Sequence, residues 1–235
     1  MDMINFMFFD STIILIIPAL LLSMYAQHKV KSTFDRYSRI ASKSGMTGVQ
    51  VAEKLLYASG VMDVKVEHTK GQLTDHYDPR DKTVRLSDAV YNVRSLAALG
   101  VAAHEVGHAV QHNEDYGPLA MRSGLFPVVN IGSRFAPWII MIGLVIGYTA
   151  QWGMTLLNIG IVLFSFTVLF QLVTLPVEFN ASSRAIALLT QEGILSNEEA
   201  APAKKVLDAA ALTYVAAAIA SVMSLIRLIL ISRRR

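Results

Sequence analysis

The chain has 235 residues, of which 53% are hydrophobic and 17% charged; with a mean hydropathy of +0.44 it is too apolar for an ordinary soluble domain, and the excess points to a membrane. The net charge of +3 is mild, and the basic residues are spread or lie beside apolar segments rather than in a stripe with interleaved aromatics, which argues against a nucleic-acid partner. The absence of cysteine excludes disulfides, thiolate nucleophiles and thiolate-held metals together, so any metal must be held by histidine and carboxylate.

Residues 4–26 are almost wholly apolar, interrupted by Asp10 and Pro18, and at about 1.5 Å per residue they can cross a hydrocarbon core of about 30 Å. A cleaved signal peptide would carry Lys or Arg near its start and a small-x-small cleavage site; with neither present, the segment reads as a retained anchor. Lys29, Lys31, Arg36, Arg39 and Lys43 follow it, whereas only Asp2 and Asp10 lie towards its start. The positive-inside rule then puts the N-terminus outside and the following segment in the cytoplasm.

Residues 28–124 read as a water-soluble domain. It opens on a charged helix, and a second helix capped by Thr47 runs through Val51, Leu55 and Leu56 to Gly60. Short strands are expected at residues 64–67, 73–77 and 83–86, separated by the turn signals Lys70-Gly71 and Asp78-Pro79-Arg80-Asp81, which suggests a small antiparallel sheet. Ser95 is placed to cap a helix running through Leu96, Leu99, Val101, Ala102 and Ala103 to Asn113.

Two further apolar blocks, residues 125–150 and 154–177, are joined by the short turn Gln151-Trp152-Gly153 and read as a transmembrane hairpin (residues 125–177), with Trp138, Tyr148 and Trp152 as interface aromatics. Arg134 is out of keeping with such a block and must snorkel to the interface or pair inside the bundle. Residues 178–208 are polar and helical in pattern, with Ser196 and Glu199 forming a capping box. The last apolar stretch, within residues 209–235, carries Arg227 and ends on Arg233, Arg234 and Arg235. If it spanned, those arginines would lie outside, against the charge rule, so an interfacial or domain-packed helix is expected. The fold expected is thus a mainly α membrane protein: an α+β, zincin-like catalytic domain with a small antiparallel sheet, plus three transmembrane helices, or four if the last stretch spans.

The chemistry lies in His104-Glu105-Val106-Gly107-His108. On a helix, residues four apart share a face, so both imidazoles can address one Zn²⁺ while Glu105 stands beside the open position. A catalytic zinc keeps three protein ligands and one open position for a water whose pKa it lowers towards about 7. Glu105 would take the proton of that water as it attacks a peptide carbonyl and pass it to the leaving amine. The third ligand lies elsewhere. The metzincin pattern fails because Gln111 stands where its glycine would be. His112 is one turn beyond His108, but three ligands at successive turns spread over about 12 Å of axis, too far to meet one ion, which leaves it a solvent-facing or supporting role. Glu178 is the better candidate, because it begins the polar segment where the third apolar block returns the chain to the side holding the histidine helix; the bland alternative is a solvated helix N-terminus.

Through Asp75-His76-Tyr77-Asp78-Pro79-Arg80, Ala102–Gln111 around the histidine motif, Leu175-Pro176-Val177-Glu178-Phe179-Asn180-Ala181-Ser182 and Ala210-Ala211-Leu212-Thr213-Tyr214-Val215, the sequence resembles the YugP-type neutral zinc metallopeptidases of bacterial membranes. More loosely, it is similar to the HtpX-type and CAAX prenyl protease gluzincins. The resemblance covers most of the chain and implies a membrane-embedded gluzincin with His104, His108 and Glu178 on zinc and Glu105 as general base. The chain departs from the looser relatives four residues after the third ligand, where Ser182 replaces the aspartate that holds the first histidine; what orients His104 is left open. Residues 73–77 could form an edge strand on which an extended substrate adds, or a plain hairpin. Tyr214 or Arg184 could stabilise an oxyanion, although each is more often a packing or salt-bridge residue.

The expectation is therefore an integral-membrane zinc endopeptidase acting on membrane or membrane-adjacent proteins, in protein quality control. The alternative from another class is a non-catalytic membrane scaffold with structural zinc, which needs a fourth protein ligand. A transporter using the histidines as a metal relay would place them inside an apolar span, whereas Asn113, Glu114 and Asp115 follow them closely.

Overall fold

The computed structural model describes residues 11–147 and 150–233. Asp2, residues 4–10 of the expected anchor, Tyr148, Arg234 and Arg235 lie outside the described residues. A short 3-10 helix, Ser11–Leu15, leads into α1 (Ile16–Tyr37), followed by α2 (Gly48–Ala58), β1 (Lys65–His68), β2 (His76–Asp78) and β3 (Thr83–Leu86). Four helices complete the chain: α3 (Leu96–Asn113), α4 (Gly117–Ile146), α5 (Trp152–Gln191) and α6 (Asn197–Arg233). The chain divides into two compact units. An apolar unit comprises Met1–Tyr25, Met121–Leu175 and Thr213–Arg235, and a histidine-helix unit comprises Ala26–Ala120 and Pro176–Leu212.

The helices are longer than composition suggested. The anchor and the charged helix after it are one element, α1. The third apolar block and the first part of the polar segment that follows are likewise one 40-residue helix, α5, while the rest of that segment begins α6. At about 1.5 Å per residue α5 extends about 60 Å, roughly twice a hydrocarbon core. The last apolar stretch, expected to lie on the interface or on the domain, forms the C-terminal part of α6 and belongs to the apolar unit. Among the described residues, four helices are long and apolar enough to cross a membrane, those of residues 11–37, 117–146, 152–191 and 197–233. The fourth of these contains the last apolar stretch, which by length and composition can span as well as lie on the interface.

Within the apolar unit, Ala136, Ile140 and Leu157 form a buried cluster joined by Leu144, Met154 and Leu228. A Cβ on Gly143 would stand 2.5 Å from the Leu157 backbone nitrogen, and one on Gly160 would stand 2.5 Å from Ile140 Cγ1. Small residues bring the backbones of α4 and α5 together as in membrane helix pairs, where no hydrophobic force separates protein from solvent. The outward side chains are apolar: Leu21, Ile131, Trp138 and Val162 are more than half exposed, a pattern suited to lipid contact. Arg134 is exposed rather than buried between helices, as snorkelling requires. Arg227 donates from Nε to Thr12 Oγ1 at 3.3 Å, so this charge inside an apolar helix is engaged by its own unit.

In the histidine-helix unit, Leu55, Val84, Leu86, Leu99, Val106, Leu189 and Val206 form the buried core. Both expected caps are present. Thr47 Oγ1 accepts from Gln50 N at 3.4 Å while Gln50 Oε1 accepts from Thr47 N at 2.9 Å, and Ser95 Oγ accepts from Ala98 N at 3.2 Å. The sheet departs from the all-antiparallel expectation. Its order is β1-β3-β2, with β2 antiparallel to β3 and β1 parallel to it. The tight turn after Asp78 forces β2 and β3 into a hairpin, whereas the connection from β1 carries the chain past β3 and leaves β1 running in the same direction. Leu73 has a φ of 56°, so the expected strand at 73–77 is confined to its end, and β2 starts at His76.

The close approach at Gly143 gives a paired test. Gly143→Ala should destabilise the apolar unit by about 1–3 kcal/mol through overpacking. Gly124→Ala, where a Cβ meets nothing within 4 Å, should be neutral or stabilise by about 0.5–1 kcal/mol through helix propensity. Thermal unfolding of the two variants in detergent micelles would contradict this packing if Gly143→Ala melted with or above Gly124→Ala.

Candidate metal centre

The centre is built where α3 and α5 touch. Helix α3 starts at the Ser95 cap and carries the histidine motif near its end. On α5, Val177, Ala181, Ala185 and Leu189 repeat every four residues and are each fully buried, giving a narrow stripe of small and branched side chains. Gly107 meets this stripe. A Cβ there would lie 2.7 Å from Ala181 O and 3.2 Å from Ala181 Cα. The glycine between the motif's glutamate and second histidine is therefore set by backbone contact with α5.

That approach brings Glu178 to the two imidazoles. Glu178 Oε2 lies 3.3 Å from His104 Nε2 and 3.6 Å from His108 Nε2. One ligand atom from each residue falls within 4.8 Å of the other two. Ligands at about 2.0–2.1 Å from one tetrahedral Zn²⁺ stand about 3.4 Å from each other, so the donor set fits that ion in type and spacing. His104, His108 and Glu178 are the three residues of this group among the described residues. Glu178, expected at a helix N-terminus, instead lies well inside α5 and is only 2% exposed, so the solvated-terminus reading does not hold.

The outer ring nitrogens are held from behind. His108 Nδ1 is 3.0 Å from Gln111 Oε1, and Gln111 Nε2 donates to Val177 O at 2.8 Å and Asn180 Oδ1 at 2.9 Å. A glutamine oxygen only accepts, so the His108 proton is assigned to Nδ1 and the Nε2 lone pair faces Glu178. Ser182 Oγ lies 3.2 Å from His104 Nδ1, which puts a hydroxyl where the looser relatives have a carboxylate. Asn180 Oδ1 also accepts from Arg184 Nε at 2.7 Å, and Arg184 Nη2 pairs with Glu114 Oε2 at 2.7 Å. Arg184 is thus a salt-bridge residue of this network.

Glu105 is 7% exposed and its carboxylate has no hydrogen-bond partner among the described residues. Burial pushes its carboxyl above the usual carboxylate range; His104 and His108 pull it down, while Asp75 and Glu178 add to the push. Asp75 is itself raised by burial, although it accepts from Ser87 N at 2.7 Å and from Ser87 Oγ at 2.9 Å. These bonds pin the chain entering β2 to the end of β3. His112 takes a supporting contact: its Nδ1 lies 2.7 Å from Tyr77 Oη. Burial, then the carboxylates of Asp63, Asp78 and Asp81, push the Tyr77 hydroxyl up to about 12, so Tyr77 keeps its proton and can donate it. Strand β2 is at the sheet edge. Tyr214 belongs to the apolar unit.

Gln111 and Asn180 escaped sequence reasoning. Gln111 had a usable signal, since it lies three residues after His108 on the same helical face, an amide inside an otherwise apolar flank. Asn180 had none, because its neighbour Gln111 is 69 residues away in sequence.

The family described as "putative neutral zinc metallopeptidase" matches residues 12–233 of the chain. A protein of Bacillus subtilis (strain 168), described as "Putative membrane protease YugP", is 51% identical over 219 residues, which cover 93% of this chain and 95% of that protein. No solved structure matches the chain.

Gln111→Leu should remove the acceptor of His108 Nδ1 and weaken zinc binding about 10–100-fold, as loss of partners behind a ligating histidine does elsewhere. Ser182→Ala, which removes a single longer contact, should weaken it less. Competition with a zinc chelator on the purified variants measures both, and a Gln111→Leu protein with unchanged zinc affinity would rule out this orienting role.

Proposed function

The chain belongs to the family described as "putative neutral zinc metallopeptidase", and from that premise we propose that it is an integral-membrane zinc endopeptidase of gluzincin type. His104, His108 and Glu178 hold the metal, and Glu105 is the general base. Its substrates are membrane or membrane-adjacent proteins, and its role is protein quality control. The N-terminus lies outside and the catalytic domain in the cytoplasm, a reading supported by the basic residues that follow the first apolar segment. The carrying observation is the convergence of Glu178 on the two imidazoles, with the buried carboxylate of Glu105 next to the first of them.

When bound, Zn²⁺ supplies Lewis acidity that brings the pKa of water towards about 7 and polarises a peptide carbonyl. The chain's own residues do the rest. Gln111 and Ser182 keep both imidazoles turned with Nε2 inward. Glu105 accepts the proton of the attacking water and delivers it to the amine that leaves when the C–N bond breaks. Burial suits this exchange, because a carboxyl raised above its usual range holds a proton more readily. The scaffold reading requires a fourth protein ligand, and three ligand groups converge among the described residues.

Two variants test the proposal. Glu105→Gln should keep zinc and lose about 10²–10⁴-fold in cleavage rate, the usual worth of a general base. Glu178→Ala should lose both zinc and cleavage. Zinc content of the purified proteins, with cleavage of an unfolded membrane-protein reporter in proteoliposomes, reads both; undiminished cleavage by Glu105→Gln or undiminished zinc in Glu178→Ala would sink the corresponding assignment.

A further inference from the structure

Away from the histidines, the histidine-helix unit contains a cavity of about 600 Å³ between α1 and α6. Its wall on α1 includes Lys29, Ser32, Thr33 and Arg36, and its wall on α6 includes Lys205 and Leu212. Within each helix the lining positions recur at spacings of three and four, so each presents one face to the gap. Three cations line it against one carboxylate, that of Asp208. That carboxylate is already taken, because both its oxygens accept from Lys204 Nζ at 2.8 Å. Among the described residues, Lys29, Arg36 and Lys205 form no ion pair. Facing helices that leave like charges around an open space are short of an anion, and like charges held together cost stability until one arrives.

The cavity's place along the two helices identifies the anion. On α1 the apolar run ends at Ala26 and the cavity begins at Lys29; on α6 the cavity runs from Lys205 to Leu212, where the last apolar stretch starts at Ala209. Both walls therefore stand where a candidate membrane helix changes from apolar to charged. There the groups at hand are phospholipid headgroups, and basic pockets between helices at that depth suit anionic ones. We propose that this cavity binds the phosphate of an anionic phospholipid, with Arg36 as the forked donor to its oxygens, Lys29 and Lys205 neutralising its charge, and Ala209 and Leu212 meeting the start of the acyl chains. A zwitterionic headgroup fits poorly, because its own cation would enter a space already holding three. The site is separate from the histidine centre, so its test reads binding rather than cleavage and its outcome does not depend on the protease reading.

The full chain in dodecyl maltoside is titrated with dioctanoyl phosphatidylglycerol, dioctanoyl phosphatidylcholine and inorganic phosphate, and stoichiometry is taken from native mass spectrometry. One phosphatidylglycerol should bind per chain, at least about tenfold more tightly than phosphatidylcholine. Arg36→Gln combined with Lys205→Gln should weaken it at least about tenfold, since each cation near an anionic headgroup contributes measurably. Lys31→Gln combined with Arg39→Gln removes two basic residues of the same stretch that do not line the cavity and should change nothing. Equal losses in both double variants would make the attraction diffuse and overturn the site. Phosphatidylcholine binding as tightly would overturn the anionic preference, and inorganic phosphate binding as tightly as the lipid would reassign the cavity to a free anion. Matching melting temperatures of lipid-free variants and parent show that a lost affinity is not lost folding.

Discussion

A carboxylate buried to 2% exposure between two helices is the constraint on which the histidine-helix unit depends. Taking an ion of that kind out of water costs several kcal/mol unless positive charge and hydrogen bonds replace the water. Glu178 faces two imidazole nitrogens at 3.3 Å and 3.6 Å, and a dication placed among the three would supply the positive charge that replaces its lost water. The surrounding architecture brings these groups together: a glycine at 107 so that α3 can lie against Ala181, a stripe of small residues on α5, and an amide at 111 that fastens His108 to the α5 backbone at Val177 O.

The second element of the design is the unbroken length of α5. A side chain carried on a loop would wander, whereas Glu178, carried inside a helix, is positioned by the helix as a whole. Pro176 lies two residues before Glu178 within this helix, where a proline removes one backbone donor and crowds the preceding turn. The carbonyl of Val177, next in sequence, accepts from Gln111 Nε2, so the stretch of backbone beside the proline is tied to α3. The helix is secured to its partner at the place where its own ladder is weakest.

What the sequence discloses follows from how local each signal is. The histidine helix, with its Ser95 cap and its end at Asn113, was legible because caps and a four-residue spacing are written in neighbouring residues. The Thr47 capping box was legible for the same reason. The continuity of α1, α5 and α6 was not, because each changes from apolar to polar partway, and a change of solvent resembles a change of element. Strand positions were approximately readable from alternation, yet the parallel pairing of β1 with β3 depends on where the connection from β1 to β2 leads, which alternation does not encode. Glu178 could be singled out by topology; the Gln111–Asn180 link, joining residues far apart in the chain, could not.

The serine at 182 makes sense once the charges around the centre are counted. Glu178 and Glu105 together carry two negative charges when ionised, enough to balance one dication, and Asp75 contributes a further like-charge influence on Glu105. An aspartate behind His104 would add another negative charge to a buried cluster, raise the carboxyl of Glu105 still further and make its imidazole neighbour more basic. A hydroxyl at 3.2 Å from Nδ1 orients the ring without that charge, and it can donate or accept as the ring requires. The contact on His104 is longer than the amide contact on His108, and the two histidines are thereby held unequally: one is tied to the backbone of α5 through Gln111, the other only to the Ser182 hydroxyl.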